Sequence, residues 1–307
     1  MTDVEKNKLT EVKWLIVSVI FLSAFTGLGI GLLRDRGLDS SALLYIGVPV
    51  ILALVFAFTT PASKSVLGTT LKGITFVILI SGPLLQEGFI CMIMAAPIFY
   101  IVGALVAWSF DYYRKKEQRE DKPNKLNVLV IPALLLAISV EGTTNEFSFE
   151  RNNVVEHTKV IDGSVVEVKD RLGVSRSLAT PNSLFAKLFP RPDVINAEGL
   201  SIGDKHWAEI SYFKWIYWNE KRGITQFKII ENQKKYIKLG AVSDSSYISS
   251  YLKWGDTEIF FEPLSDTRTK VTWRVSFKRK IDPAWYVQPL QRYAAGLMTE
   301  QLVLSLQ

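Results

Sequence analysis

Cysteine is nearly absent from this chain of 307 residues, and the one present, Cys91, lies inside an apolar run. A single thiol excludes an intrachain disulfide and any metal site built on paired cysteines. Histidine is almost as scarce. His157 and His206 are the only two, and neither metal-ligand spacing nor a serine, histidine and acid set accompanies them. The sequence also has no glycine-rich phosphate loop and no dinucleotide fingerprint, so nucleotide-dependent chemistry has little support. No catalytic residue, metal or cofactor is therefore expected. His206, beside Trp207, stands out as a candidate for binding only.

A concentrated charge of one sign is missing too. The net charge is +6, but from Gly142 onward 23 Lys and Arg alternate with 19 Asp and Glu. Mixed patterning of this kind reads as a solvated surface, which argues against nucleic acid as a partner.

Long apolar runs, by contrast, fill the first half. "WLIVSVIFLSAFTGLGIGLL" (14–33) and "SALLYIGVPVILALVFAFTT" (41–60) are each long enough to cross a hydrocarbon core of roughly 30 Å as helices. The first exceeds the apolar core of a signal peptide, and a second span follows at once, so it reads as a retained anchor. From Ile74 to Phe110 the only charge is Glu87. One helix through that run would extend about 55 Å at 1.5 Å per residue, too long for a single crossing. The chain must turn, and Gly82, Pro83 and Gly88 bracket a reversal beside Glu87. Spans at 65–85 and 89–110 result, with Glu87 marking the turn. The competing reading of Glu87 is a working intramembrane acid. A fifth, shorter span is expected at 126–140.

Orientation follows from the loops. With the N-terminus inside, eleven Lys and Arg fall on the cytoplasmic side, among them Arg114, Lys115 and Lys116, against Arg34 and Arg36 outside. By the positive-inside rule the expected protein is multi-pass, with a cytoplasmic N-terminus and an extracytoplasmic second half if the fifth segment crosses. The membrane region covers residues 1–141, and its partner is the lipid bilayer.

Residues 145–307 change pattern to short alternating runs broken by turn residues, as in antiparallel strands with one buried face. In "TKVTWRVSFKRK" the residues Val271, Trp273, Val275 and Phe277 share a face, and in "TEIFFEPL" so do Ile259 and Phe261, with "SDTR" as the hairpin turn. "ITQFKII", "KKYIKL" and "YISSYLKW" read as further strands, and "VVEHTKVI" as the first. "GSVVEVKDRL" and "PNSLFAKLF" have helical spacing. Asp282 and Pro283 suit the N-cap and first position of a closing helix, whose apolar stripe is expected at Tyr286, Leu290, Tyr293 and Leu297. The aromatic-dense stretch holding Trp207, Tyr212, Phe213, Trp215, Tyr217 and Trp218 is either sheet core or a surface that docks on lipid headgroups.

The segments "VIDGSVVEVKDRL", "TEIFFEPLSDTRTKVTWRV" and "DPAWY…LQRY…L" together resemble the START-like, helix-grip superfamily, which includes polyketide cyclase and aromatase-like domains and lipid-transfer domains. The resemblance covers about residues 145–305. It implies an α+β domain with a curved antiparallel sheet around a long C-terminal helix, joined here to an α-helical transmembrane region. It further implies a cavity between sheet and helix for a hydrophobic molecule such as a lipid or polyketide, with Phe227, Leu252, Trp254, Phe261, Trp273 and Tyr293 as candidate lining. The alternatives are a cyclase-type enzyme and a non-catalytic membrane interaction or regulatory protein. The sequence points to no particular protein partner.

Overall fold

The computed structural model describes residues 41–60, 64–85, 89–117, 126–178, 189–213 and 220–307, which form two compact units divided at Phe149 and Glu150. The expected span at 14–33, Glu87, the helix expected within 181–188, and Trp215, Tyr217 and Trp218 all lie outside the described residues.

The first unit is helical. A π-helical turn, Leu43–Gly47, leads into α1, Val48–Thr59, and then come α2, Val66–Leu85, α3, Phe89–Glu117, and α4, Leu126–Ile138. Helix α2 continues through Gly82 and Pro83 to Leu85, and α3 begins at Phe89. The helices meet through small residues. A methyl group on Gly73 would enter the ring of Phe56, and one on Gly103 would enter the side chain of Ile74. Small residues at these positions let the helix backbones approach closely. Large apolar residues also face outward, including Phe58 at 72% exposure, Leu134 at 62% and Trp108 at 54%.

Among the described residues, one helix, Met92–Glu117, is long and apolar enough to cross a membrane. Tyr45–Thr59, Val66–Leu79 and Val128–Ile138 are apolar but shorter.

In the second unit, eight strands among the described residues form one antiparallel sheet in the order β1-β8-β7-β6-β5-β4-β3-β2. They are β1, Asn152–Asp162; β2, Arg176–Ser177; β3, Arg191–Ala197; β4, Lys205–Phe213; β5, Glu220–Gln233; β6, Tyr236–Asp244; β7, Leu252–Ser265; and β8, Arg268–Arg279. Helix α5, Val165–Leu172, follows β1, and helix α6, Ala284–Leu304, closes the chain. Alternation places Ile259, Phe261, Val271, Trp273, Val275 and Phe277 in one core with Ile229, Ile237 and Val168. Each side chain buried to this degree contributes about 1.5–3 kcal/mol. Register shifts at Pro192/Ile195, Gln226/Phe227, Ile229/Glu231 and Trp254/Thr257 break the ladders, and bulges of this kind bend the strands that carry them. A curled antiparallel sheet against a C-terminal helix is the helix-grip arrangement.

Several sequence expectations change. "YISSYLKW" is a 3₁₀ turn at Tyr247–Ser250, and only its last residues join a strand. Leu252–Trp254 and the run from Thr257 are one long β7 joined across a bulge, so two expected strands are one. Strand β3 went unforeseen, because Pro192 and the register shift interrupt its alternation. Asp282 does not cap α6. The N-cap is Pro283, after a cis peptide bond, and the Asp282 carboxylate is held by Arg151 and Arg279 instead. Two guanidinium groups bind a carboxylate more strongly than a helix N–H does.

The buried stripe of α6 is Ala284, Val287, Gln291, Ala295, Thr299 and Val303, and not the one through Tyr286, Leu290, Tyr293 and Leu297. The helix contacts β1 and β8 through small and medium side chains, and bulky tyrosines are left on the flanks.

Candidate functional site

Between the curled sheet and α6 lies a half-enclosed cavity of about 100 Å³ with an almost wholly apolar wall. Each strand contributes according to its pleat. From β4 come His206 and Ile210, from β5 Thr225 and Phe227, from β7 Trp254 and Thr257, and from β8 Trp273 and Val275. The first two pairs sit on alternate residues of continuous strands, where period 2 brings them to one face. Trp254 and Thr257 are three apart, and the bulge between them restores the shared face. Helix α6 supplies Ala295, Met298, Thr299 and Leu302, and β2 supplies Arg176.

Of the six residues proposed as lining, the structure brings Phe227, Trp254 and Trp273 to the cavity. Leu252 and Phe261 are 6% and 2% exposed and belong to the packed core. Tyr293 is 45% exposed on the flank of α6, edge-on to Phe189, which follows from the rotated stripe. Asp256 and Glu258 lie away from the wall, Asp256 paired with Lys238 at 2.8 Å and Glu258 accepting from the Tyr236 hydroxyl at 2.9 Å.

Arg176, Thr225, Thr257 and Thr299 were not anticipated. Extending the alternation two residues back from Phe227 and from Ile259 would have found both strand threonines. Arg176 sits in a two-residue strand with no pattern around it, and no sequence signal marks it.

Polar groups in the wall are few. Arg176 donates from Nε to Ser305 Oγ at 3.0 Å and from Nη1 to the Leu172 carbonyl at 3.0 Å, while Nη2 has no partner among the described residues. Its guanidinium lies 5.8 Å from the centre of the Trp273 ring, within cation–π range. Burial in apolar surroundings pushes the Arg176 pKa down to about 10, so the group still carries its charge at neutral pH. Among the described side chains no carboxylate pairs with it. His206 is 4% exposed and bonded through Nε2 to the Gly199 carbonyl at 2.9 Å. Burial, opposed by that hydrogen bond, lowers its pKa below the ordinary value, which leaves the ring neutral at pH 7. Nε2 must then be the protonated nitrogen. The indole Nε1 groups of Trp254 and Trp273 are buried with no hydrogen-bond acceptor among the described residues.

No carboxylate, cysteine or lysine is among the described lining residues, and no group of three or more His, Cys, Asp or Glu that could hold a metal occurs among the described residues.

Neither descriptions of known protein families nor the curated proteins give a match to this sequence. Solved structures do align with the second unit. A START superfamily protein from Mycobacterium smegmatis is 12% identical, covering 50% of this chain and 93% of that one at a TM-score of 0.31. The Zhui aromatase/cyclase from Streptomyces sp. R1128 is also 12% identical, covering 50% and 88% at 0.30. Norcoclaurine synthase from Thalictrum flavum is 12% identical, covering 51% and 94% at 0.30. The helix-grip description of this unit rests on its own strand order, bulges and closing helix.

Proposed function

We propose that this chain is a membrane-attached binding module whose helix-grip unit takes up a small hydrophobic molecule between its sheet and α6. The observation that carries the reading is the cavity itself. Protein interiors are close-packed, with few spaces larger than a water molecule. A space of about 100 Å³ walled by Phe227, Trp254 and Trp273 is a built feature of this sheet and helix. Apolar walls with a few placed polar groups are the usual make-up of small-molecule sites.

Membrane attachment is supported by Met92–Glu117, by the outward-facing Phe58, Trp108 and Leu134, and by the basic cluster Arg114, Lys115 and Lys116 at the end of α3. The fuller topology we propose has five crossings, a cytoplasmic N-terminus and an extracytoplasmic second unit. A reporter fused at Gln307 that works only in the cytoplasm would overturn that orientation.

The binding reading is tested on the full-length chain in lipid nanodiscs. Native mass spectrometry is expected to show a co-purified small molecule, or calorimetry a saturable 1:1 site for phenylacetamide, and Ala295→Phe is expected to abolish either one. A wild-type chain that neither carries a molecule nor binds the probe would overturn the reading.

A further inference from the structure

The polar groups of the cavity wall share one character. Arg176 is a cation with Nη2 uncommitted among the described residues, and the Trp254 and Trp273 indoles are donors without acceptors. His206 has already committed Nε2 to a backbone carbonyl. A site for a purely hydrocarbon ligand gains nothing from such groups, because a buried donor or charge left unmatched is costly.

We infer that the cavity selects a small organic monoanion, an apolar ring or short chain bearing one carboxylate, which Arg176 holds beside Trp273. The inference rests on the binding function proposed above and names the class of molecule bound. Three features set its limits. The size, about 100 Å³, is on the order of a single aromatic ring or a short alkyl chain. The guanidinium covers the Trp273 ring at 5.8 Å, so the anionic end belongs at that side of the cavity. Arg176 is the only Lys or Arg among the described lining residues, which matches a single negative charge and leaves a phosphate dianion undercompensated. Such an acid has two sources, a water-soluble aromatic acid or a short acyl chain released from lipid, and both present the same carboxylate.

Calorimetry on the full-length chain in nanodiscs separates the possibilities with two pairs of matched probes, phenylacetate against phenylacetamide and hexanoate against hexanamide. The carboxylate of at least one pair is expected to bind roughly tenfold or more tightly than its amide, the gain typical of a charge-assisted hydrogen bond. The favoured pair identifies the aromatic or acyl source. Arg176→Gln is expected to erase the preference, because the carboxylate probe loses far more affinity than its amide. Trp273→Phe, which keeps a ring but weakens the cation–π contact that positions Arg176, is expected to shrink the preference. Equal binding of acid and amide by the wild-type chain would overturn the inference and leave the hydrophobic-ligand function standing, whatever the variants do. Failure of all four probes to bind would overturn the inference, and the binding function with it if native mass spectrometry also finds no co-purified molecule.

Discussion

The carboxylate of Asp111, near the end of α3, accepts the backbone N–H of Val66 at 2.8 Å and so caps a helix that begins 45 residues earlier in the chain. The same carboxylate accepts from the Leu67 N–H at 3.0 Å and the Ser65 hydroxyl at 2.9 Å. One turn further on, Arg114 donates to the carbonyls of Ala57 at 2.9 Å and Thr60 at 3.0 Å, at the C-terminal end of α1. A single helix end thus satisfies orphan groups of two other helices. Asp111→Ala is expected to lower stability by about 1–2 kcal/mol, the usual worth of a helix cap. Asp111→Asn, which keeps one acceptor oxygen, should cost less. Thermal unfolding of the full chain in nanodiscs checks the order, and equal midpoints for all three proteins would refute the capping role.

The second unit has its own charged anchor. Arg279 and Asp282 are both fully buried and paired, and Arg151 reaches the same carboxylate from the start of β1. The pair ties the end of β8 to the first residues of α6. Removing the carboxylate alone leaves two cations facing each other without compensation. Asp282→Ala is therefore expected to cost roughly 3–5 kcal/mol, far more than loss of an exposed pair such as Lys270–Glu262. Comparing thermal midpoints of D282A and E262A tests this; a similar small loss in both would refute it.

The contrast between these two acids shows what could be read from the sequence. Alternation identifies β8 and the part of β7 after Thr257, because a strand's inward face depends only on parity and Val271 to Phe277 keep parity without a break. It fails at β3 and at Trp254/Thr257, where bulges shift the parity and only pairing with a neighbouring strand reveals the shift. Asp282 was misread as a cap for a related reason. Its partners, Arg151 and Arg279, approach from β1 and β8, and long-range pairing leaves no local trace. The same applies to the site. Phe227 and Trp273 reach the cavity by parity, whereas Arg176 reaches it through tertiary placement of a two-residue strand. On α6 the periodicity was legible but its phase was not, since Tyr286 and Tyr293 are more apolar than the Gln291 and Thr299 that face the sheet.

Acid should weaken the start of α5 in a defined way. Glu167 accepts the Ser164 N–H at 2.7 Å while Ser164 accepts the Glu167 N–H, a reciprocal capping box. Bonds from the Ser164 backbone and then its side chain hold the Glu167 pKa below the ordinary 4.5. A carboxyl whose folded pKa is depressed stabilises the fold fully above the unfolded value and loses that contribution as pH falls through the folded value. The window therefore lies below pH 4.5. In Glu167→Gln this part of the acid limb should disappear, so the stability curves of mutant and wild type converge as pH drops. Denaturant midpoints across that range measure it, and parallel curves would refute it.

Gly223 links backbone packing to the cavity. It is buried in β5, two residues before Thr225 on the cavity side, and a methyl group there would collide with the backbone of Ser246 and the Ser245 carbonyl. Unlike a flexible side chain, a main chain cannot move aside cheaply. This one is also held in place, with the Ser246 N–H bonded to Asp244 at 2.8 Å and Asp244 accepting from Thr225 at 3.0 Å. The 245–246 segment must shift in Gly223→Ala, and it would carry the Asp244–Thr225 bond and the adjoining wall at Phe227 with it. Overpacking of this kind costs about 1–3 kcal/mol. Ligand affinity is expected to fall in G223A even at temperatures where the chain remains fully folded, because the change acts on the wall and not only on stability. Ala241→Gly, exposed in the neighbouring β6 and paired with Phe227, serves as the comparison that removes a methyl group instead of adding one. If G223A and A241G bind phenylacetamide with wild-type affinity when both are folded, the wall at Thr225 and Phe227 does not take part in binding.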